Sequence, residues 1–324
     1  MRQVRVTLFS RRYIYYSADR GVFYLDIKDF SGKKTAVALG MFDGVHNGHR
    51  AVFERAESFS EQGAEAAVFT FDSESLVKKH GQSYRYVVPN SVKLEMIRNA
   101  GIGNICCADF SELKDYEAEE FAKSVLAGRM NAVRVVCGRD FRFGKGAAGD
   151  VAALREYGQK YGFKVSIVEP VVIDGETVSS SKIRELLSSG NVKKANRLLG
   201  YNYSITGTVT DGNHIGRTID FPTINQSFGE GQLIPAYGVY ATSVAIDGKQ
   251  YDAITNIGVK PTVEKEAKPL AETHILGFSG DLYGKTLEVS FSDFLRPERK
   301  FDSLDALKKQ ICMDIENRRN INDK

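Results

Sequence analysis

The sequence predicts a doubly wound α/β half followed by a small antiparallel β-barrel with one helix at its end. Three observations carry that prediction. Up to Gly200, short apolar runs alternate with helical patterns. After Gly200, apolar and polar residues alternate within strands, with Gly and Asp at the turns. The length of 324 residues suits two domains better than one.

The runs at 35–42 (TAVALGMF), 64–71 (AEAAVFTF), 104–110 (NICCADF), 132–138 (AVRVVCG) and 163–171 (FKVSIVEPV) are short and largely apolar. That is the pattern of parallel strands buried on both faces. Helical patterns separate them at 49–62, 91–101, 116–128 and 151–162, and two more at 181–190 and 192–200 close this half. Beyond it, 203–212, 238–258 and 284–295 read as antiparallel strands that suit a small closed barrel. Residues 303–319 read as a helix with Leu304, Leu307, Ile311, Met313 and Ile315 on its apolar face. The boundary falls near 200, giving domains over 1–200 and 201–324.

Composition narrows the function classes. A hydrophobic content of 42% with 26% charged residues is ordinary for a globular protein, and a formal charge of +3 gives no reason to propose nucleic-acid or membrane partners. Arginines interrupt the N-terminal stretch before a signal-peptide core can form, and no run is long and apolar enough for a membrane helix. Cys106, Cys107, Cys137 and Cys312 lack C-x-x-C spacing, so reduced, mostly buried thiols in a cytoplasmic protein are expected.

The stretch ALGMFDGVHNGHR (38–50) carries the first chemical signal. It joins a strand to a helix and holds three glycines and two of the chain's 5 histidines. In a doubly wound sheet, ligands sit beyond the carboxyl ends of the strands, where helix N-termini offer N–H groups to anions. A lone histidine there reads as a cap or a core residue. His46 and His49 together, with Gly44 and Gly48 opening the backbone to approach, point to a polyphosphate.

G-x-F-D-G-x-H-x-G-H over 40–49 resembles the signature of the HxGH nucleotidyltransferase superfamily, in the form carried by bacterial bifunctional riboflavin kinase/FMN adenylyltransferases (FAD synthetases). Further segments are similar to that family's motifs in order. They are VCGRDFRFGKGAAGD at 136–150, VSSSKIRELLSSGNVKKANRLLG at 178–200, GTVTDGNHIGRTIDFPTIN at 207–225, PAYGVYA at 235–241, NIGVKPTV at 256–263 and AETHILGFSGDLYG at 271–284. The resemblance covers nearly the whole chain after residue 35. It implies a Rossmann-like nucleotidyltransferase domain followed by a riboflavin kinase barrel, with ATP as co-substrate, Mg²⁺ as the divalent ion, and riboflavin and FMN as substrates.

Residue by residue, the resemblance places Gly40, Phe42, Asp43, Gly44, His46, His49, Ser179, Ser180, Ser181 and Arg184 around the adenylyltransferase ATP, with His46 and His49 catalytic. It places Asp140 near the flavin. Adenylyl transfer to an already anionic phosphate needs positioning and charge neutralisation rather than a base. Phosphorylating a hydroxyl needs a proton acceptor, and Glu272 matches the family's catalytic glutamate. Gly212, Gly216, Arg217, Thr223 and Asn225 match the kinase ATP and metal site, with Thr223 and Asn225 holding Mg²⁺. His274 shares the Glu272 strand face and is unassigned.

Two departures from the family pattern carry expectations. FDSES at 71–75 replaces the usual F-D-P-H-P, and Glu74, if it faced inward, would repel a phosphate. The alternative reading is therefore a riboflavin kinase with a weak or degenerate adenylyltransferase domain. Asp220 stands where glycine is usual, a mild change because aspartate tolerates positive φ better than most residues. A rival from another class is the dinucleotide fingerprint G-x-G-x-x-G at 144–149, which would suggest an NAD-dependent oxidoreductase. It lies too far beyond its strand, because RDFRF intervenes after VRVVCG.

Overall fold

The computed structural model describes residues 33–80, 84–210, 221–259 and 269–322. Two compact units divide them: one holds the described residues up to 84 together with 90–171, the other 85–89 and the residues from 172 onward.

The first unit is built on five strands: β1 (Thr35–Leu39), β2 (Glu65–Phe71), β3 (Asn104–Ala108), β4 (Ala132–Gly138) and β5 (Lys164–Val168). They lie in the order β3-β2-β1-β4-β5 with every neighbouring pair parallel. The chain adds strands outward on one side of β1 and then returns to add β4 and β5 on the other, so strand order reverses between β1 and β4 and the crevice for a ligand opens beyond their carboxyl ends. Helices α1 (Asn47–Glu57), α2 (Ser73–His80), α3 (Asn90–Asn99), α4 (Phe110–Leu113) and α5 (Ala118–Glu120) follow, the last continuing into a wider π-wound segment over Phe121–Arg129. Helix α6 (Val151–Tyr161) precedes β5.

Alternation along β1 divides the core. Val37 and Leu39 join Phe69, Phe121, Leu126 and Leu154 on one face, while Ala36 and Ala38 join Val52, Phe53, Leu94 and Ile97 on the other. Both faces are covered, and that explains why these strands read as unbroken apolar runs.

The second unit begins with a short hairpin of β6 (Val172–Ile173) and β7 (Glu176–Thr177), then α7 (Ser180–Ser188) and α8 (Val192–Leu199). Six strands follow: β8 (Ser204–Thr208), β9 (Ile224–Ser227), β10 (Gly238–Ile246), β11 (Lys249–Val259), β12 (Pro269–Ile275) and β13 (Thr286–Pro297). Their order is β8-β13-β10-β11-β12-β9, all antiparallel. The two end strands nearly meet. Gln226 Nε2 donates to the Gly207 and Leu287 carbonyls at 2.7 and 2.8 Å, and the Thr210 N–H donates to the Asn225 carbonyl at 2.9 Å. A side chain thus closes the seam of the expected barrel.

The compact units divide after Val171 and group α7 and α8 with the barrel strands. Helix α8 belongs with the barrel because Asn196 donates to the Phe291 carbonyl and accepts from the Tyr203 N–H, both at 2.8 Å. The final helix, α9 (Leu304–Asn322), buries the apolar face read from its pattern only in part, with Leu307, Ile311 and Ile315 half-buried. Leu304 and Met313 are exposed, and the fully buried stripe is polar: Gln310, Asp314 and Arg318. Arg296 grips Asp314 with contacts at 2.9 and 3.0 Å, and Arg318 donates to the Thr242 carbonyl at 2.9 Å and to Asp252 at 2.7 Å. Cys312 on this helix is exposed and Cys107 partly so, whereas Cys106 and Cys137 are buried as expected.

Candidate active sites of the two units

In the first unit, the turn after β1 is shaped by conformations that side chains seldom adopt. Phe42, Gly44 and Val45 have φ of 51°, 79° and 38°, the kind of local strain that persists where surrounding structure enforces it. Glycine at 40 is required by close approach, because a Cβ there would lie 2.8 Å from the Phe42 ring. The Thr70 hydroxyl donates to the Met41 carbonyl at 3.0 Å and ties the turn to β2. Asp43 is buried at its centre.

This turn delivers both histidines. His46 caps α1, its Nδ1 accepting the His49 N–H at 3.3 Å. The two rings stack with centroids 3.5 Å apart, and Phe42 meets His49 edge-on at 5.2 Å. His46 is buried; His49 is half-buried, with its Nδ1 covered and without a hydrogen-bond partner among the described residues. Burial above all, then the neighbouring His46 and Lys93, hold His49 well below the ordinary imidazole pKa. A neutral His49 ring at the mouth of a helix offers a directional contact without adding charge. His46 serves as the helix cap, one of the roles the sequence allowed a histidine at this place.

Asp140 is exposed just beyond β4, on the other side of the switch point, so Gly40, Phe42, Asp43, Gly44, His46, His49 and Asp140 share one end of one sheet. The FDSES segment turns its charge outward: Glu74 is exposed, while Ser73 and Ser75 are buried. Asp72 caps α2, accepting the Ser75 N–H at 2.8 Å. The condition under which Glu74 would repel a phosphate, a side chain turned into the protein, is not met.

Two glycines of GKGAAG are used for packing, while Gly146 faces open space with a φ of 63°. A Cβ on Gly144 would lie 2.7 Å from Ala118 Cα, and one on Gly149 would lie 2.8 Å from both Ala118 and Phe143. Asp150 then caps α6 through the Ala153 N–H at 2.9 Å. These contacts account for the pattern without a dinucleotide.

Ser179, Ser180, Ser181 and Arg184 lie in the second unit, at the start of α7. Ser179 caps the helix by accepting the Lys182 N–H at 3.2 Å; Ser180 and Arg184 are half-buried and Ser181 is exposed.

The barrel carries a different constellation. Alternation along β12 sends Ala271, Thr273 and Ile275 inward and leaves Glu272 and His274 on the opposite, partly open face. Glu272 sits directly across from Asn225 of β9, so carboxylate and amide share that face, with Asn225 buried. Thr223 is half-buried two residues upstream. His274 Nδ1 lies 2.8 Å from the Pro222 carbonyl and its ring meets Phe221 edge-on at 5.4 Å. It therefore donates from Nδ1 and anchors the segment leading into Thr223; burial lowers its pKa, partly offset by this bond. Behind β12, the hydroxyls of Thr242, Thr255 and Thr273 join in a buried chain with contacts of 2.8 and 2.9 Å. Gly212, Gly216, Arg217 and Asp220 lie outside the described residues.

Comparison with known proteins matches this division. A family model described as FAD synthetase matches residues 29–182, and one described as riboflavin kinase matches 199–322. The bifunctional riboflavin kinase/FMN adenylyltransferase of Pseudomonas fluorescens is 35% identical over 287 residues, covering 86% of this chain and 89% of that one. The protein of the same name from Listeria monocytogenes is 33% identical, covering 87% and 91%. A crystal structure from Streptococcus pneumoniae, described as a macrolide-efflux protein, aligns with a TM-score of 0.81 at 31% identity over 91% of this chain and 97% of that one. Among the described residues here, no helix is long and apolar enough to cross a membrane. On its motifs, its two units and its relatives, the chain belongs to the bifunctional riboflavin kinase/FMN adenylyltransferase family.

Proposed function

We infer that this chain makes flavin cofactors in two ATP-dependent steps, phosphorylating riboflavin to FMN and then adenylylating FMN to FAD with release of pyrophosphate. The observation that carries the reading is the pairing of two distinct chemistries in one chain: a histidine turn at a sheet switch point, and a carboxylate across a strand pair from a buried amide. Each suits one step.

In the barrel, Glu272 accepts the proton of the riboflavin hydroxyl as its oxygen attacks the ATP γ-phosphate and ADP leaves. Thr223 and Asn225 would hold Mg²⁺. Hydroxyl and amide oxygens are the hard donors this ion takes, and it needs few of them when phosphates complete its shell. Mg²⁺ supplies charge neutralisation on the phosphates. His274 keeps the Phe221–Pro222 segment in place, and with it the approach to Thr223.

In the first unit, the FMN phosphate attacks the ATP α-phosphate and pyrophosphate leaves. His46 and His49 orient the triphosphate at the helix N-terminus, where the macrodipole favours negative charge. Gly40 and Gly44 shape the turn, Asp43 supports it from within, and Asp140 lies where the flavin is expected. Ser179, Ser180, Ser181 and Arg184 keep the phosphate role that the family resemblance implies for them. A reducing cytoplasm suits both the thiols and the co-substrate.

Incubation with riboflavin, ATP and MgCl₂, followed by chromatography, tests the reading. FMN and FAD together are expected. FMN alone would favour the kinase with a degenerate first unit, the reading that the FDSES departure raised. No flavin product overturns both.

A further inference from the structure

Lys93 is the charged residue the proposed chemistry leaves unused. It lies on α3 beside Leu94 and Ile97, on the face packed against the sheet, and it is 0% exposed. A lysine is seldom fully buried unless its ammonium is paired. Here Nζ donates to the Phe71 carbonyl at 2.6 Å and to Ser73 Oγ at 3.1 Å. The first contact has the length of a charge-assisted bond. The first acceptor ends β2, the strand beside β1, and the second opens α2. Cys107 of β3, then Asp43 from the histidine turn and Asp72, lie near enough to support the charge that burial opposes. One ammonium thus ties α3 to the end of β2 and the start of α2, beside the strand that leads into the histidine turn.

We propose that Lys93 and Ser73 form a positioning pair for adenylyl transfer, fixing the end of β2 and a buried positive charge behind His49. The proposal rests on the adenylyltransferase reading above. Ser73 gives it a feature particular to this chain. The family's usual residue at this place is proline, which suits the first position of a helix but offers no side-chain acceptor. The hydroxyl here gives Lys93 a second one.

The groups facing His49 are His46 on its own turn and Lys93 from α3; those facing Lys93 are Asp43, Asp72 and Cys107. A positive charge at Lys93 disfavours a second one on the His49 ring. The ring is thereby kept neutral and in register with His46, while Lys93 carries the charge that draws phosphate. Touching no substrate, Lys93 acts through the histidine turn.

Two variants of the full chain, Lys93→Met and Ser73→Pro, test the pair, with two readouts. The first is FMN adenylylation resolved into kcat and KM. The second is the His49 ring titration by ¹H–¹⁵N NMR with histidine-selective labelling. For Lys93→Met we expect kcat for FAD formation to fall about 10²-fold, the scale of lost positioning. His49 should titrate at higher pH, and riboflavin phosphorylation by the same preparation should be unchanged. Ser73→Pro, at a position where proline fits the helix start, should give a smaller fall in kcat and a smaller rise in the same direction. Full adenylylation in Lys93→Met, or a loss with an unmoved His49 titration, overturns the proposal and leaves Lys93 as packing. No effect of Ser73→Pro on either readout removes Ser73 from the pair. Absence of FAD from the unaltered chain is a different result, since it fails the functional reading itself.

Discussion

The two units hold their reactive groups in opposite ways. In the first, the histidines stand on a turn beyond a strand, placed by positive φ at Phe42, Gly44 and Val45 and by a ring lying over Gly40. In the second, Glu272 and Asn225 sit within regular strands, placed by alternation and cross-strand register. The difference follows the chemistry. Cradling a polyphosphate takes a backbone opened to anions, so irregular loop geometry is useful. Removing a proton from a hydroxyl takes one carboxylate held at a fixed distance and direction, and a strand in a closed sheet supplies that.

The sharpest way to break the comparison is Glu272→Gln. It removes the proton acceptor while keeping shape, so riboflavin phosphorylation should fall about 10²-fold or more. FMN adenylylation should be unchanged. Equal loss of both rates would make Glu272 structural and the separation of roles wrong.

His46→Ala is the counterpart in the other unit. Adenylylation should fall about 10²-fold, as when one preorganised donor is removed, and loss of the α1 cap should cost about 1 kcal/mol of stability. Kinase activity should persist. Thermal unfolding followed alongside both rates separates the catalytic share from the capping share.

Truncation sharpens where the second region begins. Fragments from residue 172 and from residue 200 both contain the barrel strands, but only the first keeps α7 and α8. The shorter one loses the two Asn196 bonds to the barrel backbone, each worth about 1 kcal/mol. It should therefore melt at least about 5 °C lower while still converting riboflavin to FMN. Equal melting temperatures would return the boundary to 200.

The smallest effect is expected for Glu74→His. An exposed side chain away from specific features changes stability by about 0.5 kcal/mol or less, and adenylylation should stay within about twofold. A large gain in FAD formation would show that residue 74 reaches the site after all.

Much of this was legible in the amino-acid order. The five apolar runs became β1 to β5, and alternation in AETHI placed Glu272 and His274 together because strand side chains repeat every second residue. The histidine turn was legible because few patterns put two imidazoles beside three glycines. What escaped depends on contacts distant in sequence. Lys93 carried no reading of its own in the sequence, and only the Phe71 carbonyl and Ser73 hydroxyl explain its burial. A signal was present, since position 93 falls four residues before the core residue Ile97. The polar stripe of α9 escaped similarly: Asp314 is buried because Arg296, eighteen positions away, meets it. The glycines at 144–149 suggested a phosphate loop, and only the place of Ala118 shows why side chains are excluded there.

The seam of the barrel has a consequence for ligand binding. Gln226 draws the two end strands together, and its neighbour Asn225 faces the opposite side, toward Glu272. Consecutive residues on one short strand thus serve closure and chemistry. Any fluctuation that parts the seam also displaces the amide beside the carboxylate. Occupancy of the kinase site and integrity of the barrel are therefore thermodynamically linked. A ligand that requires Asn225 in place favours the closed seam by mass action, and slower amide exchange at β8 and β9 with ATP and Mg²⁺ bound would be the trace of that linkage.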